Sequence, residues 1–215
     1  MADFVATGTG RCGTAHLFRV LNQVGVPATH ETFFGFDRRT FGAGDRDAYR
    51  AASHNDVSLM AAPFLNTVGV PSIHLVRDPI QCVNSLLHLR IPLSADHELC
   101  HFINHFVTPE GDSDEERWVD YWEKWNRLCA RAATMTIRIE ALSAGEVRDE
   151  DLEPIVGTRG VVATWRELGV TTNRYHQITD VRIPPALIPR LERAGMEYGY
   201  SPRAAESADR LRQAI

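Results

Sequence analysis

The sequence predicts an α/β fold, in which helices pack around a central, mostly parallel β-sheet. The first observation is a short apolar run at 3–7 that leads through a glycine-rich turn, 8–13, into a helical pattern. The second is the same succession of strand and helix at 72–90. Strands that alternate with amphipathic helices are typical of such sheets. The 215 residues are enough for one domain with a sizeable core.

Apolar spacing and glycines define the elements of the first half. From Thr14, apolar residues recur every three or four positions, which predicts a helix that ends near Gly25. A second short extended segment follows at 26–31. The polar, glycine-containing stretch 37–56 predicts a loop with some helix.

The second half repeats the alternation of strands and helices. The apolar run 72–76 predicts a core strand, and Asp78 followed by proline is typical of a helix start. Residues 92–113 are rich in histidine and predict an irregular segment. The spacing over 114–132 predicts the clearest helix, and 135–139 alternates like a strand. Helical patterns also occur at 161–168 and 186–195.

Composition and charge argue against several classes of protein. The formal net charge of −5 argues against binding to nucleic acid or to an anionic membrane. The four cysteines lack zinc or disulfide spacing, and we find neither a leader nor a membrane-spanning apolar run. We therefore expect a cytoplasmic protein with free thiols. One domain is expected over 1–202, followed by a polar tail at 203–215, and no oligomeric state is predicted.

The turn after the first strand has the composition of an anion site. Gly8, Gly10 and Gly13 allow the backbone to wrap closely around an oxyanion, and backbone N–H groups at a helix start attract negative charge. Arg11 adds a full charge and Thr14 a hydroxyl. The alternative is an ordinary tight turn between strand and helix.

Two general nucleotide motifs fit this turn poorly. The spacing from Gly8 to Gly13 imitates a Walker A loop, but Thr14 stands where the lysine belongs and Ala15 where the metal-binding hydroxyl belongs. Hydrolysis of ATP or GTP is therefore disfavoured. A dinucleotide site would need an acidic residue after the second strand; Glu31 lies near that position, so this alternative stays open.

Two longer motifs resemble those of one enzyme family. G-R-C-G-T at 10–14 is similar to the 5′-phosphosulfate loop of sulfotransferases that use PAPS (3′-phosphoadenosine 5′-phosphosulfate). The second motif of that family is R-x-P with a serine eight residues after the arginine, and R-D-P at 77–79 with Ser85 has this spacing. Both motifs occur in the expected order at a strand-to-helix transition. The resemblance extends loosely over 3–170.

The resemblance implies a P-loop-NTPase-like sheet, PAPS as cosubstrate and adenosine 3′,5′-bisphosphate (PAP) as product. It implies that the 5′ end is bound by Gly10, Arg11, Cys12, Gly13, Thr14 and Ala15. Arg77 and Ser85 would hold the 3′-phosphate. Arg159, in an R-G pair followed by Trp165, is similar to a late basic contact of the family, although the lysine of that segment is absent. Arg174 is the competing choice.

Transfer of a sulfonate to a hydroxyl needs a base and positive charge around the sulfonate oxygens. The resemblance implies a carboxylate base near the second strand, so Glu31 is the first choice and His30 the second, with Arg11 supplying charge. In a parallel sheet we expect the end of the second extended segment, and with it Glu31, to lie next to the phosphate loop. The acceptor would be a small molecule or a carbohydrate, and no metal is required. In the alternative reading, Glu31 is a solvated strand-end residue.

A histidine-rich motif offers a rival chemistry. His97-Glu98-x-x-His101 matches a zinc-hydrolase motif in which Glu98 is the general base, and His105 follows four residues later. A plainer interpretation is a lid over an acceptor pocket. A third hypothesis is a nucleotide-binding module without catalysis.

Overall fold

Five parallel strands form the centre of this computed structural model, which describes residues 3–34, 46–169 and 181–202. In chain order the strands are Val5–Gly8 (β1), Ala28–His30 (β2), Asn55–Val57 (β3), Ser72–Val76 (β4) and Met135–Arg138 (β5). They lie side by side in the order β2-β3-β1-β4-β5, and every neighbouring pair is parallel. The predicted α/β class with a central parallel sheet is confirmed.

Helices connect the strands and cover the sheet. The helices before β5 are Thr14–Gln23 (α1), Arg46–Ala51 (α2), Leu65–Val68 (α3), Pro79–Leu87 (α4), Glu98–Phe106 (α5) and Asp114–Ala132 (α6). Those after it are Ile139–Ala144 (α7), Asp149–Val156 (α8), Val161–Leu168 (α9) and Ile188–Met196 (α10). Two 3₁₀ segments, Leu59–Phe64 and Pro185–Leu187, precede α3 and α10.

The two faces of the sheet bury separate apolar cores. Successive strand residues point to opposite faces, so Val5 packs into one core while Ala6 packs into the other. Helices α1, α8 and α9 cover the face that buries Leu17 and Trp165. Helices α4, α5, α6 and α10 cover the opposite face, which contains Trp122. Because both faces are covered, β1 and β4 are buried at every position, as is typical of parallel sheets, and they include the buried polar residues Thr7, Ser72 and His74.

Close contact between β1 and β4 accounts for Gly8. A Cβ atom on Gly8 would lie 2.3 Å from the carbonyl oxygen of Leu75 and 2.5 Å from Sγ of Cys12. Both distances are far shorter than van der Waals contact, so a side chain there would push β4 or the following turn away. Gly8 is therefore required by the packing of β1 against β4 and the turn.

The prediction of a loop over 37–56 is wrong at its end, because Asn55–Val57 is a strand between β1 and β2. This strand has only three residues and shows no apolar alternation. It is held by tertiary contacts that local sequence does not reveal: Oδ1 of Asn55 accepts hydrogen bonds from the N–H groups of Asp3 and Phe4 at 2.8 and 3.0 Å.

Several other expectations can be compared with the structure. The strand at 72–76 and the helix over 114–132 have the predicted bounds. The segment 92–113 is not irregular throughout, because α5 lies within it. Within the part of the chain that the structure describes, no helix is long and apolar enough to cross a membrane. The tail at 203–215 lies outside the described residues.

Candidate functional site

A cavity of about 320 Å³ lies at the edge of the sheet where all five strands end. It is lined by Gly10 after β1, Glu31 after β2, Leu59 after β3, Arg77 after β4 and Ile139 after β5. The chain runs from β1 outward to β2, returns to β3, and then crosses β1 to reach β4. Ligands of open parallel sheets bind outside the carboxyl ends of the strands, where the direction of chain succession changes. The cavity has that position.

The turn after β1 has an unusual backbone. Arg11 has a φ of 69° and Gly13 a φ of 101°. A positive φ is uncommon in residues other than glycine, and such strain concentrates at functional sites. Thr14 and Ala15, which line the cavity, belong to the first turn of α1, whose N–H groups have no acceptor within the helix. The turn and the helix start thus combine N–H donors with the charge of Arg11.

The two sequence motifs meet at Arg11. Arg77 donates from Nη1 to the carbonyl oxygen of Arg11 at 3.1 Å and from Nη2 to Oε1 of Gln81 at 3.2 Å. Arg11 in turn donates from Nε to Oγ of Ser85 at 3.1 Å. Arg77 is only 7 % exposed, and its buried Nε has no hydrogen-bond partner among the described residues. The R-x-P arginine and the serine therefore lie at the turn, and one buried donor lacks an acceptor.

His30 and Glu31 face the same cavity from the end of β2. Nε2 of His30 lies 3.4 Å from the hydroxyl of Thr14 and 4.0 Å from Oε1 of Glu31. Glu31 has a φ of 54°, so it is a second strained residue at the site. Burial raises the pKa of the Glu31 carboxyl above its ordinary value, His30 acts to lower it, and Asp56 raises it further. The carboxylate is therefore more basic than an exposed glutamate.

The lining of the cavity is cationic, although the whole chain is anionic. Arg11, Arg19 and Arg77 carry full positive charges, and Glu31 is the one acidic residue among the described residues that line the cavity. Guanidinium groups suit phosphate and sulfonate oxygens because they offer several donors in one plane. The cavity can therefore hold an anion with more than one charge.

Sequence reasoning missed part of this lining. His16 and Arg19 reach the cavity from α1, where they lie on the same helix face as Ala15. Arg19 lies four residues after Ala15 and three after His16, so this spacing could have indicated that all three face the site once the turn had been recognised. The missed apolar residues are Leu59, Leu86, Leu89, Leu99 and Ile139. They follow different strands and helices, so only the tertiary structure groups them.

Three predicted cofactor residues do not line the cavity. Cys12 is fully buried beneath the turn, and burial raises the pKa of its thiol well above the ordinary value. Ser85 reaches the site through its contact with Arg11. Arg159 is exposed and forms ion pairs with Glu153 at 2.7 Å and Glu150 at 3.6 Å, so the structure does not place it at the cavity. The competing Arg174 lies outside the described residues.

The zinc motif does not form a metal site in the described residues. His97 precedes α5 as its N-cap and accepts a hydrogen bond from the N–H of Leu99 at 3.2 Å. It therefore does not share a helical face with His101, whose Nε2 lies 2.6 Å from Oδ1 of Asp96. No group of three His, Cys, Asp or Glu side chains suited to a metal occurs among the residues that the structure describes.

No family model, curated protein or solved structure matches this chain. The interpretation of the cavity therefore depends on its own geometry and on the two motifs. The geometry combines a strained, N–H-rich turn, three arginines and one basic carboxylate at a single edge of the sheet. Such a set can bind a polyanion and accept a proton beside it.

Proposed function

We propose that this chain is a PAPS-dependent sulfotransferase, which moves a sulfonate group from PAPS to a hydroxyl of a small-molecule or carbohydrate acceptor. The observation that carries the proposal is one shared cavity: the turn at 10–15, Arg77 and Glu31 all contribute to it. An anion-binding turn alone would suit many ligands. A carboxylate of raised pKa in the same cavity adds the proton acceptor that transfer to a hydroxyl needs.

The sheet supports a P-loop-NTPase-like fold as part of the same proposal. All five strands are parallel, and the anion-binding turn follows the central one. The order β2-β3-β1-β4-β5 differs from the 3-2-1-4-5 order of classic dinucleotide-binding sheets, where the second strand is the direct neighbour of the first. This difference disfavours the dinucleotide alternative, in which Glu31 would contact a ribose.

The residues present fit the two anionic groups of PAPS. The turn at 10–15 would bind the 5′-phosphosulfate through backbone N–H groups, with Thr14 at the start of α1. Arg77 would bind the 3′-phosphate, and its unpartnered buried Nε is a donor of the right kind. Ser85 accepts a hydrogen bond from Nε of Arg11, and a hydroxyl that accepts one bond can still donate its own proton to a phosphate oxygen.

Glu31 would act as the general base. The acceptor oxygen forms a bond to sulfur, the bond between sulfur and the 5′-phosphate oxygen breaks, and the hydroxyl proton moves to Glu31. Arg11 and the N–H groups of the turn stabilise the negative charge that develops on the departing phosphate. A base works best when its pKa approaches the operating pH, and burial shifts the pKa of Glu31 in that direction. The chemistry we propose requires no metal.

The alternative hypothesis is a nucleotide-binding module without catalysis, in which Glu31 is not a general base. It predicts PAP binding without sulfonate transfer to any acceptor in a broad screen. The structure disfavours the zinc-hydrolase hypothesis, because His97 caps helix α5 and does not share a helical face with His101. Loss of activity on treatment with a chelator would revive it.

Arg77→Ala tests the proposed nucleotide site. We expect PAP affinity to fall roughly ten- to hundredfold, because a charged phosphate contact contributes ~1.5–3 kcal/mol. Adenosine 5′-phosphosulfate, which lacks the 3′-phosphate, should lose far less. The comparison is necessary because Arg77 also supports the carbonyl of Arg11, and a loosened turn would weaken both ligands alike.

Isothermal titration calorimetry of both ligands provides the measurement, with Arg193→Ala as the matched control because that arginine is exposed on α10. Equal losses for the two ligands in Arg77→Ala would exclude a 3′-phosphate contact. Absence of PAP binding to the unaltered protein would exclude the proposed function.

A further inference from the structure

A fully buried carboxylate lies behind the turn that carries Glu31. Asp56, in the middle of β3, is 0 % exposed. Its Oδ1 accepts hydrogen bonds from the hydroxyl of Thr29 at 2.8 Å and from the N–H of Thr32 at 3.3 Å. Its Oδ2 accepts from the N–H of Phe34 at 3.1 Å. One side chain thus joins β2 to the turn that follows it.

The arrangement requires a carboxylate. Burying a carboxylate is costly unless donors compensate, and here three neutral donors converge on its two oxygens. An asparagine offers one acceptor oxygen and one NH₂ group, so either Thr32 or Phe34 would face a donor instead of an acceptor. A neutral asparagine therefore could not make the same contacts.

The hydrogen bonds that Asp56 accepts come from residues on both sides of Glu31, which has a strained backbone. Glu31 has a φ of 54° and donates from its N–H to the carbonyl oxygen of Val57, the residue after Asp56, at 3.4 Å. The next N–H along the chain, that of Thr32, is held by Asp56 itself. A left-handed conformation of a non-glycine residue persists only when the surrounding structure enforces it. β3 supplies that constraint on the carboxyl side of β2.

We propose that Asp56 is a positioning residue, which fixes the turn after β2 and thereby directs Glu31 into the cavity. This inference rests on the proposed function, in which Glu31 is the base. Asp56 touches neither the cavity nor any bound group, since it does not belong to the lining. It acts through the backbone of 31–34 and through its charge.

The charge of Asp56 has a consequence for proton transfer. Burial and the negative charge of Asp56 both raise the pKa of Glu31, while His30 acts to lower it. The other charged or titratable groups of the cavity lining are Arg11 from the turn, His16 and Arg19 from α1, and Arg77 after β4. Asp56→Asn removes one of the groups that raise this pKa and replaces no side chain of the cavity lining. The pKa of Glu31 should then fall.

The test is a double-mutant cycle with Asp56→Asn and Glu31→Gln. We expect Asp56→Asn to lower kcat about ten- to hundredfold, because small displacements of a reacting group have effects of that size. PAP affinity should stay unchanged. The acidic limb of the pH profile should move to lower pH, as should the titration of the Glu31 carboxyl followed by carbon NMR. In the Glu31→Gln background, Asp56→Asn should cause little further loss.

Additive losses in both backgrounds, or an unmoved Glu31 titration, would overturn the inference. If Asp56→Asn does not fold, Thr29→Val removes one donor to Asp56 and keeps the charge. Its smaller loss of kcat should also disappear in the Glu31→Gln background, and persistence there overturns the inference. If the unaltered protein transfers no sulfonate, the proposed function fails, while the NMR titration of Glu31 still decides whether Asp56 positions and perturbs it.

Discussion

Glu31 and Asp120 are both largely shielded acids, and their surroundings are opposite. The Asp120 carboxylate pairs with Lys124 at 2.8 Å and with Arg190 at 2.7 Å. Although burial acts to raise its pKa, these contacts hold the pKa of Asp120 below the ordinary value. Glu31 has His30 at 4.0 Å, and burial raises its pKa. An acid held in ion pairs with lysine and arginine stabilises the fold, whereas an acid whose pKa burial raises is suited to proton transfer.

The elements around the two acids differ in the same way. Helix α6, which carries Asp120, follows local rules: Ser113 and Glu116 form a capping box, and apolar residues recur along one face. The turns that carry Arg11 and Glu31 depart from the local backbone preferences of non-glycine residues, because both residues adopt positive φ. Natural proteins depart from local preference mainly at functional sites. Stability and function therefore reside in separate parts of the molecule.

Trp122→Ala should give the largest loss of stability. Trp122 is fully buried on α6 and packs edge-to-face against Tyr198, with ring centroids 5.9 Å apart. Truncation of a buried tryptophan typically costs about 3–5 kcal/mol of unfolding free energy. Urea denaturation measures it, and Leu168→Ala, at a 36 % exposed residue of α9, is a control expected to change little. Similar losses in both variants would show that α6 is not the stabilising region.

Asp120→Asn should have an intermediate effect that depends on pH. We expect a loss of about 1–2 kcal/mol at neutral pH, since the ion pairs are partly exposed. The lowered pKa of Asp120 means that its contribution is present above the ordinary value of 3.8 and is lost as the pH falls through the folded-state pKa. The variant and the unaltered protein should therefore converge once the pH falls below the folded-state pKa of Asp120. A difference that stays constant with pH would contradict this account.

Glu31→Gly should stabilise the fold slightly and abolish function. Glycine adopts a left-handed conformation without the steric cost of a side chain, which should raise the free energy of unfolding by roughly 1–2 kcal/mol. The added freedom of glycine in the unfolded chain should remove about half of this gain. Because the pKa of Glu31 is raised, ionisation above the ordinary value of 4.5 costs further stability that the variant recovers.

Arg90→Gly is the matched control, since Arg90 has a φ of 56°, is exposed and lies outside the cavity lining. It should stabilise equally at acidic and neutral pH and retain sulfonate transfer. Glu31→Gly should stabilise more at neutral than at acidic pH. If the two variants changed stability and sulfonate transfer alike, burial of the Glu31 carboxylate would not cost stability and Glu31 would have no role in the reaction.

The fold was predictable where a local signal is strong. The run 72–76 is buried at every position and contains three large apolar residues, and 114–132 combines a cap with a regular apolar spacing. Strand β3 was not predictable, because Asn55 and Asp56 are polar residues whose partners are distant backbone groups.

The candidate site was predictable in outline for a different reason. Arg11, Thr14, Glu31 and Arg77 each end or follow an apolar run, and parallel strands bring such residues to one edge. Glu31 reaches the cavity although β3 separates β2 from β1. The leucines of the lining were not predictable, since apolar residues on helices are indistinguishable from core residues in the sequence.

Turnover of Glu31→Gln, measured beside PAP titration, tests the central claim most directly. The assay follows sulfonate transfer from labelled PAPS to an accepted hydroxyl compound, with His30→Gln as the comparison. We predict that Glu31→Gln loses ~10²–10⁴ in rate, the usual contribution of a positioned base, and keeps its PAP affinity. Near-normal turnover in Glu31→Gln together with an inactive His30→Gln would contradict the account and assign the base to His30.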